Sequence, residues 1–286
     1  MKIIDLFSGI GGLSTGFKLS GFEIIQAYDN WEYAAKTYKL NHPRTRVYIS
    51  DISHNNFQLN KPPINDFILI GGSPCQDFSN AGKVLGEKGE KGKLTQKFLD
   101  IVTYYYPEIF VLENVPNIIK FNIYNKILTL QNYQVIAVKL NSMFYNTPQN
   151  RTRIIFIGFK MKYNLNGFRK KLLKKENQIP TTVKDYFGDS INIENYFIEP
   201  YFRGNKNIWS VHEPHPTIRG SGYRPSVIDG IRALTIRERL KIQSFPDSYK
   251  LINHNVKDSN QAIGNSVPVN LAKHIASCLY ELLQQH

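Results

Sequence analysis

The sequence predicts an α/β protein, a doubly wound, Rossmann-like domain that carries a smaller, mainly β domain. Three observations lead there. Through the first half of the chain short apolar runs alternate with helix-period segments, the pattern of a sheet covered by helices. From about Lys160 to Ile231 the alternation stops, and the chain becomes rich in Asn, Pro, Gly, Tyr and Lys with no clean period. Helix signals then return, ending in VNLAKHIASCLYELL, a helix apolar enough to need a large sheet as cover.

Taken in order, KIIDLF is a short apolar run bounded by a glycine turn, hence a strand, and LSTGFKLSG after it is a helix ending at glycine. FEIIQAYD is the second strand and EYAAKTYKLNH, rich in helix formers, the second helix. RVYISD, DFILIGG, EIFVLEN, QVIAVKLN and RTRIIFIGF are further strands, and TQKFLDIVTYYY is the helix that precedes EIFVLEN. LTIRERLKIQSF is a late helix. Return of the terminal helix to the first sheet makes the large domain discontinuous. The expected boundaries are 1–166 plus 259–286 for it and 167–258 for the small one.

The 36 Lys and Arg against 23 Asp and Glu give a net charge of +13, which points to a polyanionic partner. A lysine-rich solvated surface is the alternative. Between Lys160 and Lys184 eight basic residues face one acidic residue, either a phosphate-binding stripe or the wet face of an amphipathic helix. Cys75 and Cys278 lie far apart, and no signal segment precedes the first strand, so a reducing, cytoplasmic setting is expected. The longest apolar runs are too short to cross a bilayer.

The chemistry-bearing residues gather at predicted strand ends. DLFSGIGG, Asp5 to Gly12, leaves a strand and opens a helix, where Gly9, Gly11 and Gly12 would let a ligand approach backbone amides. Asp29 ends the second strand, placed to accept from two ribose hydroxyls, and Asp51 ends the third, placed to accept from an adenine amino group. Either alone is more often a turn residue or cap. Together with the glycine turn they favour a bound nucleoside. Cys75 follows a proline on the loop after the fourth strand, an unusual place for a small buried hydrophobe, whereas Cys278 in the terminal helix suits that role.

GGSPCQDFS at 71–79, ENV at 113–115, QNRTR at 149–153, RALTIRERLKIQSFPDSY and AIGNSVPVN follow DLFSGIGG in one order. On these motifs the chain resembles the DNA cytosine-5 methyltransferases over nearly everything except about Lys160 to Arg219. The resemblance implies a bacterial type II modification enzyme that moves a methyl group from S-adenosylmethionine, releasing S-adenosylhomocysteine, to carbon 5 of a cytosine flipped out of double-stranded DNA. It implies Cys75, stiffened by Pro74 and followed by Gln76, as the nucleophile that adds to carbon 6. Glu113 would engage N3 and the exocyclic amine of the cytosine, Arg153 its O2, and Arg151 would order the pocket.

For the cofactor, the resemblance implies Phe7 stacked near the adenine, Asp29 on the ribose, Asp51 and Ile52 at the adenine, and Asn265 with Val267 closing the pocket. Asn30 stands where many relatives carry a bulky residue, for which Trp31 could substitute. The glycine- and lysine-rich loop 80–95, with Lys83 and with Lys91 in a place usually held by arginine, suits a flap over DNA. Thr217, Arg219, Tyr223 and Arg203 are candidate DNA contacts, and 167–258 would be the target-recognition domain. No metal, no membrane and a monomer are expected, in a prokaryotic, nucleoid-associated setting, with a cognate restriction endonuclease as a genetic partner. An RNA cytosine-5 methyltransferase on the same fold, or a silent DNA-binding paralogue, are the competing expectations.

Overall fold

One-residue alternation in the apolar runs gives the central strands two buried faces, and helices cover both. The computed structural model describes residues 1–63, 66–74, 77–78, 86, 89–198, 207–220, 227–228, 230–252 and 255–285, with 90, 91, 227 and 228 as backbone only. The strands are β1 (Lys2–Leu6), β2 (Glu23–Asp29), β3 (Arg46–Ile49), β4 (Phe67–Gly72), β5 (Ile109–Asn114), β6 (Tyr133–Asn141), the short β7 (Gln149–Asn150) and β8 (Thr152–Lys160). All but β7 join one seven-stranded sheet in the order β3-β2-β1-β4-β5-β8-β6. Helices α1 (Gly12–Leu19), α2 (Glu32–Asn41), α3 (Glu90–Tyr105) and α4 (Asn122–Leu128) lie between the strands.

Ile3, Ile68, Ile70, Ile109, Val111, Ile155 and Ile157 face one side, against Leu13 and Phe17 of α1. Their neighbours Ile4, Leu69, Phe110, Leu112 and Phe156 face the other, against Phe98, Leu99 and Val102 of α3 and Ile123 and Ile127 of α4. Period-two alternation between two covers is what a doubly wound sheet requires.

Strand β8 departs from the parallel expectation, because it runs antiparallel to both β5 and β6. The segment 142–151 that joins it to β6 has no crossover helix, and a short connection of this kind returns the chain beside its own strand. Residues Arg151 and Arg153, at the start of β8, therefore reach the edge where the parallel strands end. Helix α3 also begins earlier than TQKFLDIVTYYY indicates. The Gly92 amide in its first turn donates to Asp77 Oδ2 at 2.9 Å, a cap supplied from a distant loop and so invisible to local patterning.

Beyond β8 the elements are short: α5 (Phe168–Leu172), α6 (Val183–Phe187), the antiparallel pair β9 (Asn195–Phe197) and β10 (Ile208–Ser210), β11 (His215–Pro216) beside β7, the pair β12 (Val227–Ile228) and β13 (Ile231–Arg232), and α7 (Ile236–Ile242). Val183, Phe187, Tyr196, Val211, Leu240 and Phe245 form a third core that reaches Ile10 of the glycine turn and Ala34 of α2. Helix α8 (Val256–Asn265) precedes α9 (Val269–Leu283), whose Leu271, Ile275, Ala276 and Leu279 are buried on the first sheet face. Helices α1 and α9 pack closely because Gly16 leaves room for Ala272, 2.5 Å from where a Cβ would stand. No described helix is long and apolar enough to cross a membrane.

Helix α9 also clasps the segment that leaves the sheet. His274 Nδ1 lies 3.2 Å from Glu176 Oε1, and its Nε2 lies 2.9 Å from the Leu172 carbonyl. Burial alone would lower the His274 pKa, but hydrogen bonding to Cys278, Glu176 and the Leu172 carbonyl raises it to about 9. The Cys278 sulfur is 3.9 Å from the same Nε2, so the carbonyl is the stronger acceptor. A raised histidine pKa stabilises the fold fully below the unfolded value near 6.5, and that contribution is lost as pH rises through about 9. Thermal unfolding midpoints are thus expected to fall between pH 6.5 and 9, and less steeply in His274→Gln. An equal fall in both proteins would remove His274 as the source.

Candidate active site

The carboxyl ends of β1, β2, β4 and β5 and the start of β8 open onto one cavity of about 1140 Å³. It lies where the strand order reverses between β1 and β4, the usual ligand position in an open α/β sheet. Of the residues singled out in the sequence, Phe7, Gly9, Gly12, Asp29, Asn30, Asp51, Ile52, Pro74, Glu113, Arg151, Arg153, Thr217, Arg219, Asn265 and Val267 line it. Cys75, Gln76, Lys83, Arg203 and Tyr223 lie outside the described residues, as does the side chain of Lys91.

One end is built on the turn after β1. Phe7 and Gly9 have φ of 57° and 53°, a left-handed path that costs a bulky residue about 1–2 kcal/mol. The carboxylate of Asp29 secures that path, accepting from the Gly9 amide through Oδ2 and from the Trp31 amide through Oδ1, both at 2.8 Å. Burial raises the Asp29 pKa, and the Trp31 and Gly9 hydrogen bonds oppose the rise. Asp51 is held low by the side chain and amide of Ser53, with help from Asn30 and His54. Asn30 thus serves Asp51, and the adjacent Trp31 presents the bulky surface to the cavity.

Gly11 departs from expectation, for it does not line the cavity. It caps α1 at φ 86°, and a Cβ there would stand 2.9 Å from Tyr38 and 3.0 Å from His42, so close packing explains the glycine. Gly12 is pressed against the far wall, its Cβ position 2.2 Å from Ser266 Oγ and the Val267 carbonyl.

Sequence reasoning missed Asp5 and Ser8 as cavity residues. Asp5 accepts from Ser14 Oγ at 2.6 Å, while its Oδ1 and the Ser8 hydroxyl are buried without a hydrogen-bond partner among the described residues. Burial, opposed by Ser14 and aided by Asp29, pushes Asp5 up to about 8, so at neutral pH it is largely a protonated acid able to donate. Two unmatched polar groups on a glycine-lined wall suit a ligand with both donors and acceptors. The signal was present in DLFS, where an acid and a hydroxyl flank the turn.

At the other end Glu113 Oε1 meets Arg153 Nε at 2.9 Å, each side chain about nine-tenths buried. Gly72 leaves that space open, because a Cβ there would lie 3.3 Å from Glu113 Oε2. Asn114 donates to Ser73 Oγ at 3.0 Å, and Asn117 to the Phe78 carbonyl at 2.7 Å, so the ENVPN segment braces the chain on both sides of residues 75 and 76. Arg151 lines the cavity but spends its guanidinium on backbone, donating to the carbonyls of Ile218, Gly264 and Ser266 at 3.1–3.2 Å. Exposed Lys139 and Ile119 form part of the rim, and no motif marked either.

Residues 1–226 and 216–281 match the family described as C-5 cytosine-specific DNA methylase. The type II methyltransferase M.HindV of Haemophilus influenzae is 40% identical over 98% of this chain and 96% of its own length. M.HgiDI of Herpetosiphon aurantiacus, also a type II methyltransferase, is 36% identical over 100% of this chain and 96% of its own length. Among solved structures, one described as a DNA modification methyltransferase encoded within an E. coli prophage superposes with a TM-score of 0.77 at 27% identity, covering 99% of both chains. The Dnmt2 methyltransferase of S. pombe shares the fold, with a TM-score of 0.70 at 19% identity over 99% of both chains.

Proposed function

Because this chain belongs to the C-5 cytosine-specific DNA methylase family, we propose that it methylates carbon 5 of a cytosine in double-stranded DNA, with S-adenosylmethionine as donor, as the modification enzyme of a type II restriction-modification system. The observation that carries the reading is the single cavity joining the Asp29–Asp51 end to the buried Glu113–Arg153 pair. The first end fits a nucleoside-containing cofactor, and the second fits a planar, polar base.

When bound, S-adenosylmethionine supplies an electrophilic methyl group. Asp29 receives the ribose hydroxyls through lone pairs left free by its two backbone bonds, Asp51 and Ile52 face the adenine, and Asp5 and Ser8 meet the remaining polar groups. Carbon 5 of cytosine is a poor nucleophile. The Cys75 thiolate adds to carbon 6, which moves electron density to carbon 5. Glu113 holds N3 and the exocyclic amine and stabilises the ring charge that the addition creates. Arg153 orients Glu113 and reaches the base O2, while Arg151 positions the wall. After methylation the C5 proton leaves, the C6–S bond breaks, and its electron pair returns to sulfur as the ring regains conjugation.

The region 167–258 reads the DNA in this account. Thr217 and Arg219, which border the cavity, face the duplex from it, and the loop lysines Lys83 and Lys91 contact phosphates. Single-base mapping of 5-methylcytosine in DNA from cells expressing the protein tests the activity and names the site together. Methylation of tRNA, with none of duplex DNA, would overturn the reading.

Asp29→Ala is expected to weaken S-adenosylhomocysteine binding roughly tenfold or more, because charged hydrogen bonds contribute about 1.5–3 kcal/mol. Asp29→Asn should fail as well, since its NH₂ would face the Gly9 or Trp31 amide, donor against donor. Unchanged titration curves for both variants would remove Asp29 from the cofactor site.

A further inference from the structure

Gln149 and Gln243 are fully buried, and neither lines the cavity. Gln149 Oε1 accepts from the Ile218 amide at 2.9 Å, and its Nε2 donates to Gln243 Oε1 at 2.9 Å. Gln243 Nε2 then donates to the Ile263 carbonyl at 2.7 Å and the Ser266 carbonyl at 3.3 Å. The partners fix both amide orientations, since an amide hydrogen must meet oxygen at one end and two carbonyls must meet nitrogen at the other. The two side chains thus form a directed chain from segment 217–220 to the 263–266 wall of the cofactor end.

The surroundings make that chain tight. Arg151 bonds to Ile218 on one side and to Gly264 and Ser266 on the other. A Cβ on Gly264 would stand 2.2 Å from the Gly220 nitrogen and 2.4 Å from the Arg219 carbonyl carbon. Arg239 Nη2 donates to the Arg219 carbonyl at 3.0 Å. Segment 217–220 and the wall are therefore held backbone to backbone, and both border the cavity.

We propose that Gln149 and Gln243 are positioning residues that couple occupancy of the cofactor end to the placement of Thr217–Gly220, and with it to Arg219. A ligand resting on the wall restrains the Ser266 carbonyl, which restrains Gln243, Gln149 and the Ile218 amide in turn. The coupling is reciprocal, so a partner that fixes segment 217–220 must tighten cofactor binding by the same factor. The proposal rests on the methyltransferase reading for the identity of the ligand.

Amide hydrogen exchange across 217–220, with and without saturating S-adenosylhomocysteine and without DNA, reads the coupling. In the wild-type protein the ligand is expected to slow exchange several-fold. Gln149→Met keeps similar volume but has no amide, so it should bind ligand yet keep only the part of the slowing that Arg151 carries between Ile218 and Ser266. Gln149→Glu supplies a control, because a buried carboxyl has a raised pKa. At pH 6 the protonated acid can accept from Ile218 and donate to Gln243, so slowing should persist. It should fall to the level of Gln149→Met as the pH rises and ionisation of the introduced carboxyl removes the donor. Slowing retained in full by Gln149→Met, absent from the wild type, or lost by Gln149→Glu even at pH 6 would overturn the coupling. Methyl transfer by the same wild-type preparation separates the two ideas. Protection without DNA methylation sinks only the methyltransferase reading, and methylation without protection sinks only the coupling.

Discussion

Cys75→Ala is expected to end methyl transfer to duplex DNA and to leave duplex binding in place. Loss of a covalent nucleophile lowers turnover by roughly 10³ or more, since no other group can do its work. Binding survives because unstacking the base costs only a few kcal/mol and is offset by contacts that do not need the thiol. The braces around the position are independent of it, with Asn117 on the Phe78 carbonyl and Asp77 capping α3. Duplex carrying 5-fluorocytosine at the target blocks the departure of the C5 substituent. With S-adenosylmethionine it should therefore leave a covalent adduct that peptide mapping assigns to Cys75. An adduct on Cys278, buried in α9 beside His274, or wild-type turnover by the alanine variant, would overturn the assignment.

Removal of Glu113 is the second large loss expected. Glu113→Ala deletes the group proposed to steady charge in the base and takes from Arg153 its buried ion-pair partner. Breaking a buried pair from one side costs about 3–5 kcal/mol, and loss of a preorganised transition-state contact about 10²–10³ in kcat. The double variant with Arg153→Ala should be scarcely worse than either single one, because the two act as a unit. Independent, multiplying losses in kcat would show that the pair does not operate together, and full activity in Glu113→Gln would remove the carboxylate from the chemistry.

Much of this was legible in the chain because strand ends are local events. Asp29, Asp51 and Glu113 each close an apolar run, and the sheet brings the ends of those runs to one edge. The reversal of β8 was not legible, since apolar alternation carries no direction, yet it explains why the arginines stand at the start of their strand while the acids stand at the ends of theirs. Gly11 was ambiguous in the sequence, because positive φ and close packing ask for glycine just as ligand approach does. Gln149 sat in view within QNRTR, but its partners Ile218 and Gln243 lie 69 and 94 residues away. Asp77 capping α3 escaped for the same reason. Side chains that bond across the fold leave no period behind.

The seam between α1 and α9 has a consequence for the birth of the protein. Ser20 bonds to Ser277, Tyr249 to Ile10, and Gly12 abuts Val267, so the earliest residues meet partners made more than two hundred positions later. Chains emerge at about 5–20 residues per second, and until α9 is out, Leu13 and Phe17 lack the Leu271, Ile275 and Leu279 cover that completes this core. Contacts of such long sequence separation also fold slowly. A nascent chain therefore spends its synthesis with an open apolar face and an unfinished cofactor wall, and competence arrives in one late step. Chains truncated before α9 are expected to expose that face and to be prone to aggregation and proteolysis.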